Sequence, residues 1–349
     1  MTSTPAPATV ADRILAGDDH ALAADGLLSF LRDTDVWELM NAADRVRRAR
    51  FGNSVHLCSI VNAKEGGCPE DCGFCSQSKH FDTHVKPTKF APVAEILAHS
   101  ERAAGRHASA LGLVTATRGL EDDSKGLAHV VEAIRAVRDA GHTEAHASLG
   151  FLSDASFDRL IEAGLTEFNH NLETGRSYFS KIVTTHTYDD RIDTIRRAQA
   201  KGLRTCVGGI FGMGERAEDR VEMAVTLREL DVDEIPLNFL VSIDGTRLAK
   251  VEPMAPLEML RIVAAYRLFL PRPNIFIAAG RMHLGSLVPL LFSAGASGMM
   301  VGDFLTTPNR SVEDDLAMIA ELGLVPIACG TKDRPELRAR APKRLPVVA

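Results

Sequence analysis

Eight times along this chain a short run rich in β-branched and other apolar residues is followed by a longer amphipathic segment. The short runs lie at 55–61, 108–116, 144–150, 167–172, 204–210, 234–241, 274–280 and 297–303. The intervening segments, such as "KGLAHVVEAIRAVRDAG" and "YDDRIDTIRRAQAKG", carry apolar residues at helical spacing. Several end in glycine, as a helix C-terminus favours: Gly141, Gly164, Gly202, Gly295 and Gly323. Repeated strand–helix units return each strand in the same direction, so the sheet is parallel. Eight such units predict an α/β fold, a (β/α)8 TIM-type barrel. An open, doubly wound sheet is the alternative that pattern alone leaves standing.

Residues about 12–50 read as helical, with interruptions at Gly26 and around Asp33–Asp35. The expected organisation is an N-terminal helical extension (1–50), the barrel (51–325) and a basic, proline-interrupted tail (326–349). The opening "MTSTPAPATVADR" is small, polar and proline-containing. It is expected to be an irregular lead-in, without the basic start and apolar stretch of a secretory signal.

Composition narrows the function classes. A formal net charge of −6 gives no field to attract nucleic acid or anionic lipid, and a single tryptophan offers no base-stacking platform. No apolar run approaches the ~20 residues of a membrane span. The six cysteines are sparse for 349 residues, and three are clustered, a pattern of reduced, metal-binding thiols in the cytoplasm.

Those three, Cys68, Cys72 and Cys75, sit in "GGCPEDCGFCSQ" with the spacing C-x3-C-x2-C. The loop follows the first strand and so lies on the C-terminal face of the barrel, where such folds carry their chemistry. A structural zinc site wants four ligands, usually in two pairs. Here there are three, and no matching pair follows. Three soft thiolates hold three irons of a [4Fe-4S] cube and leave the fourth open to a small molecule. Zinc, or chance proximity, is the plainer alternative.

This loop, in "CSIVNAKEGGCPEDCGFCSQS", resembles the radical SAM enzymes, and within them the biotin synthase family. The blocks "FNHNLETGRSYFSKIVTTHTYDDRIDTI", "GGIFGMGE", "IPLNFLV", "GTRL", "AAGR" and "GDFLTTPN" resemble the same family in the same order, over about residues 50–325. The resemblance implies that S-adenosyl-L-methionine chelates the open iron and yields a 5′-deoxyadenosyl radical on reduction. It implies that Asn171 and Glu173 lie near the nucleoside, Glu173 as the carboxylate for ribose hydroxyls. It implies that Gly208, Gly209 and Glu215, within 208–215, lie along the cofactor. Asn238 would be a substrate-side amide, and Thr306 and Thr307 would bind a ureido-type head group. Each also has an ordinary reading, since Asn caps and turns and Thr satisfies loop backbone. The substrate implied is dethiobiotin, the electron donor a flavodoxin- or ferredoxin-type protein, and the assembly a homodimer.

The sequence departs from the family at the sulfur-donating auxiliary Fe–S cluster, which familiar members hold with three cysteines and an arginine. Those positions fall at Ala110, His146, Cys206 and Phe276, so only Cys206 is retained. Arg281 matches a different family arginine. Cys58, on the first strand, faces inward if it alternates as expected. Cys58, His146 and Cys206 are therefore the candidate ligands of a rearranged cluster. The alternative is two small core cysteines and a hydrogen-bonded histidine. The expected activity is sulfur insertion into dethiobiotin. A related radical enzyme acting on another small substrate, by lipoyl-type sulfur insertion or without sulfur, is the second reading. An Fe–S electron carrier or zinc scaffold is the third.

Overall fold

Strand β1 (Ser54–Lys64) sets the pattern for the barrel, because alternate side chains meet different surroundings. Leu57 and Val61 pack outward, while His56 and Cys58 reach polar groups of the interior. The computed structural model describes residues 5–302, 305–307 and 310–327. The tail beyond 327, with Cys329, and residues 303–304 and 308–309 of the "GDFLTTPN" block lie outside the described residues.

After β1 come β2 (Ala110–Thr115), β3 (Glu144–Ser148), β4 (Leu165–Asn169), β5 (Arg204–Cys206), β6 (Gly209–Phe211), β7 (Glu234–Phe239), β8 (Asn274–Ile277), β9 (Gly298–Met300) and β10 (Val325–Pro326). The order β1-β2-β3-β4-β5-β7-β8-β9 is parallel throughout, and β9 pairs back to β1, closing the barrel. The run 204–210, expected as one strand, is a single stave in two pieces. β5 and β6 both pair with β7, and the stave breaks at Val207 and Gly208. β10 adds beside the start of β1.

The helices are α1 (Pro7–Leu15), α2 (Ala24–Arg32), α3 (Val36–Phe51), α4 (Val93–Gly105), α5 (Lys125–Ala140), α6 (Asp154–Ala163), α7 (Arg176–Ile182), α8 (Tyr188–Ala200), α9 (Ala217–Leu230), α10 (Pro256–Phe269), α11 (Leu290–Ser293) and α12 (Val312–Glu321). The N-terminus corrects the expected irregular lead-in. Pro7 opens a helix at a position that tolerates a missing N–H, and Val10, Ala11 and Ile14 are buried. The stretch expected as one helix before β9 is a 3-10 turn (Arg281–Leu287) followed by the short α11.

Local signals explain where helices begin. Ser124, Ser153 and Ser311 accept backbone N–H groups at the starts of α5, α6 and α12. Thr187 and Asp190 form a reciprocal capping box on α8. Outward-facing Leu111, Leu113, Ala145, Ala147 and Phe168 pack against Leu127, Ile134, Phe157 and Leu160 of the surrounding helices. Each leucine, isoleucine or phenylalanine among them contributes about 1.5–3 kcal/mol through burial. Buried Arg267 fastens α10 to the barrel floor, donating to carbonyls of Gly295 and Pro273 and to Ser297 Oγ.

Candidate active site

The cysteine loop springs from the C-terminal end of β1 and folds back on itself. Cys68 N donates to Gln77 O at 2.9 Å, Lys79 N to Cys68 O at 2.8 Å, and Cys75 N to Cys72 O at 2.9 Å. The turn into it needs glycine. Gly66 has φ +65°, and a Cβ there would stand 3.0 Å from the Lys86 carbonyl. The loop is stapled to its neighbours through Asp71, which accepts from Thr184 N at 2.8 Å and from Arg247 Nη2 at 3.2 Å. Burial opposes ionisation of Asp71, yet hydrogen bonds from Thr184 and Thr185 hold its carboxyl far below the usual range. Gly73 N donates to Ile182 O, and Leu248 N to Gly73 O.

The donor set fits an iron–sulfur cluster. Cys68, Cys72 and Cys75 are free thiols in one loop and partly buried. Burial pushes all three thiols up, Cys75 to about 11, and Glu173 together with the companion cysteines adds to this for Cys72 and Cys75. Such thiols give up their protons to a metal that takes the proton's place.

Behind the loop runs a polar strut. Arg118 Nη1 donates to Glu70 Oε1 at 2.7 Å, and Glu70 Oε2 receives Thr185 Oγ1 and His186 Nδ1. Arg191 Nε donates to His186 Nε2 at 3.0 Å, and Arg191 Nη1 reaches Asn171 O at 2.7 Å and Glu173 Oε1 at 3.3 Å. Burial, and then the Arg191 charge, lowers the His186 pKa, so the ring is neutral and gives its Nδ1 proton to Glu70.

Glu173 is the most constrained of the candidates. It has φ +70°, a left-handed conformation that costs a non-glycine residue on the order of 1–3 kcal/mol. Its backbone is held there by pairing with Gly209, and Ile210 N donates to Glu173 O at 2.8 Å. Burial raises its carboxyl pKa against the pull of Arg191, and its Oε2 is a buried acceptor with no hydrogen-bond partner among the described residues. Asn171 turns its Oδ1 to Gly208 N at 3.1 Å. Gly208 and Gly209 are small because strands converge on them: a Cβ would meet Pro236 O at 1.9 Å and Glu173 O at 2.5 Å. Glu215 accepts from Gly212 N at 2.9 Å, Met213 N at 2.8 Å and Arg220 Nε at 3.0 Å, so its carboxylate closes its own loop.

A cavity of about 230 Å³ opens between the cysteine loop and β7–β9. Cys75 and Phe74 form one wall, and Asn238, Thr306 and Thr307 supply polar groups. Ile60, Phe239 and Met300 make the lining apolar. Asn238 is held by Nδ2 to Gly209 O at 3.2 Å and by Ala279 N to its Oδ1 at 3.0 Å. Ser76 Oγ donates to Thr306 Oγ1 at 3.0 Å, tying the cysteine loop to the far side of the cavity.

The barrel interior is polar where it was expected to hold a rearranged cluster. Cys58 and His146 are hydrogen-bonded, and His146 Nδ1 lies 3.0 Å from Glu167 Oε1. Cys206 is fully buried against Ile60, Phe276, Ala278 and Met300. Ala110 and Phe276 offer no ligand. Arg281 makes a buried ion pair with Asp315 of α12, well apart from these groups in role. Sequence reasoning missed Glu70, His186 and Arg191 as a connected strut, and Glu167 and Glu234 as interior charges. The last two look like ordinary strand residues until register turns them inward.

Residues 66–227 match the Radical SAM superfamily, and residues 236–325 the Biotin and Thiamin Synthesis associated domain. The chain is 44% identical over 326 residues to the biotin synthase of Trichlorobacter lovleyi, covering 93% of this chain and 97% of that one. It is 43% identical over 324 residues to the biotin synthase of Geobacter sulfurreducens, covering 93% and 98%. Among solved structures, methylornithine synthase (PylB) superposes with a TM-score of 0.77 at 19% identity, covering 91% of this chain and 97% of that one. The FeFe-hydrogenase maturase HydG from Carboxydothermus hydrogenoformans superposes at 0.75 with 16% identity, covering 93% and 81%. These two carry the fold alone.

Proposed function

This chain belongs to the biotin synthase family of radical SAM enzymes, and on that premise we propose that it makes biotin by inserting sulfur into dethiobiotin. When bound, the [4Fe-4S] cluster and S-adenosylmethionine supply a 5′-deoxyadenosyl radical that takes hydrogen from a saturated carbon.

The chain's own residues provide the setting. Cys68, Cys72 and Cys75 would hold the cluster. Glu173 would accept ribose hydroxyls at Oε2, with Arg191 favouring its charged form against the effect of burial. Asn171, Gly208 and Gly209 would form the cofactor's wall, and Glu215 would shape the loop that lies along it. Asn238, Thr306 and Thr307 would orient the ureido head group, and the apolar lining would take the alkyl chain and exclude water. The observation that carries this reading is the cavity, with Cys75 on one wall and the polar groups of Asn238 and Thr306 also lining it.

The same proposal places the sulfur donor, an auxiliary Fe–S cluster, at Cys58, His146 and Cys206. It takes a flavodoxin- or ferredoxin-type protein as reductant and a homodimer as the assembly. No helix among the described residues is long and apolar enough to cross a membrane. Reconstitution with iron and 34S-sulfide tests the donor: single-turnover biotin carrying 34S supports it, and unlabelled biotin or none refutes it. The second reading, radical chemistry without sulfur, is favoured by Ala110 and Phe276, which stand at two auxiliary-ligand positions and cannot bind iron.

A further inference from the structure

Just beyond β8, a buried arginine ties together the chain segments that wall the cavity. Ala278 and Ala279 follow β8 and line the cavity, and so does Met300, the last residue of β9. Thr306 and Thr307 line it from the connection between β9 and α12. Arg281 and Asp315 are each 0% exposed. Arg281 Nη1 donates to Asp315 Oδ1 at 2.8 Å, and Nη2 donates to Asp315 Oδ2. Nη2 also reaches Met300 O at 3.3 Å. One planar fork thus holds the end of β9 and the first turn of α12, the two ends of the segment that carries Thr306 and Thr307.

Local geometry puts the fork there. Gly280 has φ +84°, and a Cβ on it would stand 2.1 Å from Phe239 O, so the turn that delivers Arg281 inward needs glycine. Its neighbour Ala279 is bound to β7. Ala279 N donates to Asn238 Oδ1 at 3.0 Å, and Ala279 O accepts from Phe239 N at 2.9 Å. At the other end, Ser311 caps α12, and Asp315 lies in the first turn, where a helix favours a carboxylate. Arg310 Nε stands 3.7 Å from Asp315 Oδ1. The middle of the segment is tied to β1 and the cysteine loop. Asn62 Nδ2 donates to Leu305 O at 2.8 Å, and Ser76 Oγ to Thr306 Oγ1.

Stability is a poor reason for such a pair. Well-packed apolar residues in place of a buried ion pair often leave a fold equally stable or more so. What they do not reproduce is direction. A guanidinium holds its carboxylate through two parallel bonds in one plane and keeps further N–H groups for another acceptor. Here that acceptor is the Met300 carbonyl, so the fork sets α12 against the end of β9. Its bonds run to the walls of the cavity, not to Asn171, Glu173 or the 208–215 turn.

We propose that Arg281 and Asp315 are positioning residues for the substrate: together they set Thr306 and Thr307 against Asn238 across the cavity. Losing the fork loosens that wall and weakens substrate binding without weakening cofactor binding. That the substrate is dethiobiotin rests on the reading above; the restraint on the wall rests on the pair alone.

The test compares the full, cluster-loaded chain with two variants. Arg281→Met/Asp315→Val replaces both charges with apolar side chains, and Arg281→Lys keeps the charge without the fork. Circular dichroism gives the melting temperature. Isothermal titration gives the affinity for S-adenosylmethionine and, with it bound, for dethiobiotin. Hydrogen-exchange mass spectrometry follows the peptides containing Thr306 and Thr307. The double variant should melt close to the parent and bind S-adenosylmethionine within about twofold, yet bind dethiobiotin about tenfold more weakly and exchange faster in those peptides. Arg281→Lys should show the same split. Dethiobiotin affinity within about twofold of the parent in either folded variant overturns the proposal, as does an equal loss for S-adenosylmethionine. If the double variant does not fold, Arg281→Lys decides by the same criteria. A parent that binds no dethiobiotin sinks the substrate reading instead. Exchange then decides the restraint: faster exchange in the variants supports it, and unchanged exchange overturns it.

Discussion

Arg191 donates its Nε–H to His186 Nε2 at 3.0 Å and thereby fixes which imidazole nitrogen carries the proton. His186 must then donate from Nδ1 to Glu70, in the cysteine loop. The other end of Arg191 reaches Glu173. One arginine therefore links the cysteine loop to the carboxylate proposed for the nucleoside.

Removing that arginine should affect cofactor binding more than folding of the barrel. In Arg191→Met, Glu173 loses its buried cation, and its already raised pKa moves further up. Breaking a buried pair costs about 3–5 kcal/mol locally. Isothermal titration should show S-adenosylmethionine affinity falling at least tenfold, with Arg191→Lys recovering part of it. Unchanged affinity would contradict the assignment of Glu173.

The capping box of α8 positions Arg191 one residue past its acidic member. Thr187→Ala should lower stability by about 1 kcal/mol in urea unfolding at neutral pH. Hydrogen bonds from Thr187 depress the Asp190 pKa, so its contribution is present above the unfolded value of ~3.9 and fades as pH falls through the lower folded value. The penalty of Asp190→Asn should therefore be full at pH 7 and shrink in strong acid. A penalty that grows on acidification has the wrong sign for this account.

The head-group assignment predicts a split in kinetics. Thr306→Val keeps the shape of the cavity wall but removes the hydroxyl and its bond from Ser76. Steady-state assays should show the dethiobiotin KM rising about tenfold, as loss of one ground-state hydrogen bond implies, with a smaller change in kcat. A fall in kcat at constant KM would place Thr306 in another role.

Gly208→Ala tests whether this glycine serves close approach. Its Cβ would stand 1.9 Å from Pro236 O, so β7 or the stave break must shift. Overpacking of this kind costs about 1–3 kcal/mol. A lower melting temperature is expected, together with weaker S-adenosylmethionine binding.

Much of the fold is legible in the sequence. Period and punctuation announced eight staves, and Gly141 and Gly164 end α5 and α6 in left-handed conformation as expected. The cysteine spacing announced one loop carrying three free thiols. What stayed hidden depends on register and long-range contact. Glu70 and His186 are 116 residues apart, and nothing local pairs them. Glu167 in the middle of β4 and Glu234 at the start of β7 look like ordinary strand residues, and only barrel closure sets them beside Cys206. Nor does the sequence show that Glu215 accepts from Gly212 N and Met213 N and so closes its own loop. Pro7, which looked like part of a loose lead, is the first residue of a packed helix.

The most direct test of the central claim is an anaerobic reaction with dethiobiotin, S-adenosylmethionine and a low-potential reductant, with biotin and 5′-deoxyadenosine measured together by mass spectrometry. The account predicts both products, with one 5′-deoxyadenosine for each C–H bond broken, and loss of both in Cys68→Ala. Formation of 5′-deoxyadenosine without biotin would contradict sulfur insertion and leave a radical enzyme of another kind.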